Sequence, residues 1–195
     1  LPDVPEGPLT RFILSGGGDV VSDSTGAVAM NEARDFLTVI GLPSQETVSR
    51  AVAMADEEAT LLAQPDAVEI VRSATGVPGE RGDLHTLGDD ASAIAAIADV
   101  TVNGFRDGDL NGLDLDLVEE LEDAQERGAP ISVARTNRGE AVAFCYSVGE
   151  SERYWDVSID AHPAHRRKGF ATAAFMHHYG MMKKRGLEPV WGSIS

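Results

Sequence analysis

Hydrophobic and polar positions alternate most cleanly between Arg153 and Ala161: Trp155, Val157, Ile159 and Ala161 fall on one face, and Tyr154, Asp156, Ser158, Asp160 and then His162 on the other. A period of two is that of a β-strand with unlike faces. Two apolar, β-branched runs precede it, Ile131 to Thr136 and Ala141 to Val148, joined by Asn137-Arg138-Gly139-Glu140. The Asn and Gly of that link suit a tight turn, so the pair reads as a hairpin. After the alternating strand Pro163 is a stop, a helix is expected from Gly169 to about Arg185, and Val190 to Ile194 opens a last strand.

Upstream the pattern is coarser. Leu84 to Leu87 is a short strand candidate; Asp89 and Asp90 cap a helix running to about Val102, with Ile94, Ile97 and Val100 on one face. A second helix, from about Leu113 to Arg127, stops at Gly128 and Pro130. Before residue 80, Ser44 can cap a helix through about Ala63, and Ala67 to Ala74 suits a short helix or a strand. Ser15-Gly16-Gly17-Gly18-Asp19 lacks the spaced glycines and following Lys of a phosphate loop and reads as a turn. Thr75-Gly76-Val77-Pro78-Gly79 reads as a linker, which divides the chain into an α/β region of residues 1–79, of unassigned function, and a domain of residues 80–195. No internal repeat is evident in the residues.

Charge changes this picture in one place. The formal net charge of −16 excludes a basic nucleic-acid binder as the default. Yet from Ser151 to Ser195 seven bases face four acids, and three of the bases, Arg166, Arg167 and Lys168, are consecutive. Such an island suggests a bound anion. No apolar run approaches the roughly 20 residues that span a bilayer. The segment Leu1 to Pro8 lacks the bases of a secretory or transit signal. The single Cys145 excludes an internal disulfide framework, and the chain is expected in the cytoplasm.

The island lies where chemistry is most readily placed. Arg166-Arg167-Lys168-Gly169-Phe170-Ala171-Thr172 opens a helix directly after a strand. A helix start offers unpaired N–H groups and a partial positive charge, while Gly169 and the small Ala171 let a ligand approach the backbone. In physical terms this is a diphosphate cradle. Arg166-x-x-Gly169-x-Ala171, with Pro163 three residues before it, resembles the central motif of the GNAT superfamily of acetyl-coenzyme A-dependent N-acetyltransferases. The order of elements from about Gly82 onward also looks like that family.

The resemblance implies a mixed α/β (α+β) fold with a mostly antiparallel central sheet flanked by helices. It implies that backbone groups of Ile159, Asp160 and Ala161 bind the pantetheine arm, and that N–H groups of Arg167, Lys168, Gly169, Phe170, Ala171 and Thr172 hold the diphosphate. The thioester would lie where the strand from Arg153 splays from that at Val190. The expected reaction is direct attack of a primary amine on the acetyl carbonyl, with Asp156 as first choice of base and Asp160 and His162 in reserve. The acceptor, a small molecule or a protein, is expected to be cationic because the inter-helix loop is acidic. A homodimer is a candidate assembly; neither nucleic acid nor a membrane is an expected partner.

The family usually supplies its acid, a Tyr, from a helix after this last strand, followed by two more strands; Tyr146, Tyr154 and Tyr179 do not match it. The domain is therefore expected to be incomplete at its C-terminus. Rival functions are a non-catalytic acyl-CoA-binding or sensor protein, and an acidic interaction module. Other motifs weigh less. Asp107-Gly108-Asp109-Leu110-Asn111-Gly112 begins like a calcium loop, but Val118 stands where a bidentate Glu is needed. His162, His165, His177 and His178 lack the Cys or Glu that would complete a zinc set, so no metal is expected. Cys145 reads as core.

Overall fold

The computed structural model describes residues 7–80, 82–87, 100–106 and 108–194. Two compact units emerge, one built on Leu9–Asp83 and one on Leu84–Gly192. Both are mixed α+β, each with a mostly antiparallel sheet flanked by helices. Among the described residues no helix is long and apolar enough to cross a membrane.

The first unit begins with α1 (Gly7–Ser15), followed by a meander of β1 (Asp19–Ser22), β2 (Gly26–Met30) and β3 (Phe36–Gly41). A helix, α2 (Gln45–Val52), then leads to β4 (Thr60–Leu62), parallel to β3, and α3 (Val68–Thr75) follows. Val28, Met30 and Leu37 of the sheet are fully buried against Val48 and Ala51 of α2. The helix expected through Ala63 ends eleven residues sooner. Ser44 caps it as anticipated, its hydroxyl accepting from the Thr47 N–H at 3.2 Å, but Leu61 pairs with Leu37 and joins the core as strand. Tertiary pairing overrides helix propensity there.

In the second unit the sheet order is β5-β10-β9-β8-β7-β6. Its members are β5 (Gly82–Thr86), β6 (Thr101–Gly104), β7 (Ile131–Arg135), β8 (Ala141–Glu150), β9 (Tyr154–Ala161) and β10 (Glu188–Ile194), with helices α4 (Leu115–Glu126) and α5 (Phe170–Lys184). The helix expected to run to about Val102 is corrected at its end. Thr101–Gly104 is a strand paired antiparallel to β7, as β-branched Thr101 and Val102 favour; residues 88–99 of that expectation lie outside the described residues.

Alternation along β7 and β8 sends Ile131, Val133, Phe144 and Tyr146 to α4, and Ala134, Ala143 and Cys145 to α5. Both faces are thus covered, which is why β8 is apolar on both. Asp109, from the loop that begins like a calcium site, is engaged within the protein. It is buried in an ion pair with Arg135 and accepts the Arg106 N–H at 2.7 Å, anchoring the turn before α4.

Candidate functional site

Strand β9 meets its neighbours unequally. It pairs antiparallel with β8 along most of its length, but parallel with β10 only at Tyr154↔Glu188, Trp155↔Pro189 and Asp156↔Val190. Beyond Asp156 the two strands part. On the α5 side the opening is a cavity of about 500 Å³ walled by Val157, Ile159, Ala171, Thr172, Phe175 and Trp191. Ile159 is 42% exposed, high for so apolar a residue, because it faces this space.

The other face of β9 is polar. Register with β8 sets Ser158 beside Tyr146 and Asp160 beside Phe144, so Asp156, Ser158 and Asp160 form a strip on the α4 side. The Tyr146 hydroxyl donates to Glu120 of α4. Burial raises the Asp160 carboxyl first, the negative charges of Glu120 and Asp114 add to the rise, and Arg166 opposes it. Asp156 sits at the last paired position before the strands diverge. Burial pushes its carboxyl up to about 6, despite a bond from the Val157 N–H.

At the end of β9 the chain turns through a short 3₁₀ segment, Pro163–His165, capped by His162, whose Nδ1 accepts from the Ala164 N–H at 3.3 Å. Arg167 then takes φ 58°, a left-handed conformation uncommon for a side-chain-bearing residue, and Gly169 takes φ 84°. The first backbone bond of α5 is Ala173 N–H to Gly169 at 3.0 Å, and no side chain caps the helix. The N–H groups up to Thr172 are therefore left at an uncapped, positively polarised helix end.

Arg166 and Lys168 are partly committed to the turn itself, donating to the carbonyls of Ala161 at 3.1 Å and Ala164 at 2.8 Å. Their charge remains local, but their first duty is to shape the loop. The cradle residues Arg167, Lys168, Gly169, Phe170, Ala171 and Thr172 thus lie together at the start of α5, and two of them, Ala171 and Thr172, reach the cavity that Ile159 borders. Asp160 lies on the opposite face, and the Ala161 carbonyl is already taken by Arg166.

No protein-family model and no curated protein matches the sequence; solved structures do match the fold. A GCN5-related N-acetyltransferase from Kribbella flavida aligns with a TM-score of 0.66 at 13% identity, covering 96% of this chain and 83% of its own. The fold is that of the GCN5-related N-acetyltransferases. A second such protein, from Sphaerobacter thermophilus, aligns at 0.56 and 16% identity over 100% of this chain and 88% of its own. A tandem GNAT protein from the clavulanic acid biosynthesis pathway aligns at 0.55 and 12% identity over 88% of this chain and 71% of its own.

Within this GNAT fold, Ser158 lies on the face that alternation marks as polar, Tyr146 does not match the family's acid, and Glu120 is not singled out by the sequence. Tyr146 falls opposite Ser158 once the hairpin alternation is carried across to β9. The four histidines fall in two pairs: His162 and His165, with ring centres 5.8 Å apart, and His177 and His178, whose Nδ1 atoms lie 3.0 and 3.2 Å from the Ser132 hydroxyl, His178 being buried against Trp155.

Proposed function

We propose that the protein is an acetyl-CoA-dependent N-acetyltransferase whose acceptor is a cationic primary amine. The observation that carries this is the parting of β9 from β10 directly after Asp156, which joins an apolar channel on one face of the sheet to a buried carboxylate on the other. An uncapped helix start with two left-handed residues lies at the channel's outer end and suits a diphosphate. The edge of β9 from Val157 to Ala161 that β10 leaves open, the Ala161 carbonyl apart, suits the amides of a pantetheine arm.

An amine with an ordinary pKa near 10 arrives protonated and is drawn by Asp114, Glu120 and Asp160. It must lose a proton to become a nucleophile. Asp156 in its ionised form takes it, directly or through a water; the nitrogen bonds to the acetyl carbon, the carbon–sulfur bond breaks, and the departing thiolate takes up a proton. A carboxylate with a pKa raised to about 6 is a better base than an ordinary one and is still ionised at neutral pH.

The test is release of free CoA from acetyl-CoA in the presence of a panel of amines. Turnover with di- or polyamines exceeding that with neutral amines supports the assignment. Binding of acetyl-CoA without turnover on any amine would favour an acyl-CoA sensor instead.

A further inference from the structure

The two units repeat one order of elements. In the first, helix α1 precedes the meander β1-β2-β3, and α2 then leads to β4 parallel to β3; in the second, α4 precedes β7-β8-β9, and α5 leads to β10 parallel to β9. Register repeats too. In each, the parallel pairing spans three residues, Phe36↔Thr60 to Thr38↔Leu62 and Tyr154↔Glu188 to Asp156↔Val190. Thr38 therefore stands where Asp156 stands, and the start of α2 where the start of α5 stands.

The copies differ at those two places. Thr38 is buried, uncharged and hydrogen-bonded to the Thr10 hydroxyl at 3.2 Å. Residues 162–169 join β9 to α5, whereas residues 42–44 alone join β3 to α2, and they include no base. The start of α5 is uncapped, but that of α2 is doubly filled. Ser44 caps it, and the carboxylate of Asp23, from the β1–β2 turn, accepts the Ser44 N–H and the Thr47 hydroxyl, both at 2.7 Å. The same carboxylate accepts the N–H groups of Thr25 at 2.8 Å and Gly26 at 3.0 Å and the Thr25 hydroxyl at 2.8 Å. These donors hold it well below the usual carboxylate range. Gly26 lies so close to the β3–α2 link that a Cβ there would come within 2.5 Å of the Pro43 nitrogen, so the turn is seated directly on it.

We infer that the first unit is a second copy of the module proposed above to bind acetyl-CoA, that its anion cradle is occupied by the protein's own Asp23, and that the chain carries one CoA site, not two. Thr38 removes the base and Asp23 removes the anion site, so the copy retains the fold without the chemistry. The identity of the displaced ligand rests on the proposed function; the internal anion does not.

Two measurements decide it. Titration calorimetry with CoA should show one equivalent bound to the wild-type chain and none to Gly169→Glu. Two equivalents, or one that survives Gly169→Glu, would overturn the inference. Separately, thermal unfolding of Asp23→Gly should show a lowered midpoint that inorganic phosphate, at constant ionic strength, restores by several degrees more than it moves the wild type. Asp23→Ala, which also vacates the space for an anion, serves if the Gly variant does not fold. Loss of stability without a phosphate response, or no loss at all, would sink the internal-anion assignment. Absence of any CoA binding to the wild type would defeat the functional proposal, while the phosphate response would still decide the role of Asp23.

Discussion

Asp156 and His178 titrate in opposite senses on folding, over overlapping pH ranges. Burial raises Asp156 to about 6, so its contribution is most favourable below its unfolded pKa near 4 and is lost as pH rises through about 6. Burial, with His177 and Arg185 adding to it, lowers His178 to about 4, so its contribution is present above the unfolded pKa near 6.5 and is lost as pH falls toward 4. The two largely offset between pH 4 and 6. Asp156→Asn should therefore stabilise the protein at pH 7.5, by up to about 2–3 kcal/mol, and make it more acid-labile between pH 6.5 and 5, as thermal midpoints across that range would show. The same variant should lower turnover by roughly 10²-fold or more, leave CoA affinity nearly intact and abolish an acid limb of kcat/KM near pH 6. Wild-type turnover in Asp156→Asn across pH 6 to 9 would remove it from the mechanism.

The start of α5 depends on two backbone conformations rather than on a capping side chain. Gly169 at φ 84° tolerates no side chain without strain, so Gly169→Ala should cost about 1–2 kcal/mol and weaken CoA binding together, read by unfolding and calorimetry on one preparation. At α2 the cap is conventional, and Ser44→Ala should cost about 1 kcal/mol of stability with no effect on CoA affinity. Elements of the second unit were legible in the sequence because β7, β8 and β9 each carry a sustained pattern and Pro163 and Gly169 punctuate the turn. The meander of the first unit was not. Val20-Val21, Ala27 to Met30 and Leu37 to Ile40 are too short to show a period, and β4 lies inside a stretch of helical composition. The repeat was hidden for a related reason. Thr38 replaces a carboxylate and Leu42-Pro43-Ser44 replaces the basic turn, so the residues that differ are those a motif search would use. Likewise Asp156 was legible from alternation, whereas Glu120 reaches the strip only through the packing of α4 on β8.

For the molecule as a whole, the field opposes the ligand that the site is proposed to take. A chain of net charge −16 repels a polyanion on the whole, whereas Arg166, Arg167 and Lys168 concentrate positive charge at the start of α5. Association of CoA is then a local attraction set against a general repulsion. Both are screened by salt, but the local one, acting over a few ångströms, dominates affinity once contact is made. CoA affinity should fall several-fold between about 50 and 500 mM monovalent salt. Lys168→Gln should flatten that dependence, and an affinity indifferent to salt in the wild type would show that the basic turn contributes shape alone.

The parting of β9 and β10 has a consequence for what can enter the sheet. A strand whose outward peptide groups lack a partner normally invites another polypeptide to zip along it, which is how sheets recruit unwanted neighbours. Here the invitation is issued inside the sheet, with β10 standing across the opening and Phe175 and Trp191 crowding it. A second polypeptide, which carries side chains on both faces of a strand, meets those rings before it can zip along β9, so the walls that line the cavity also guard the open edge against strand addition.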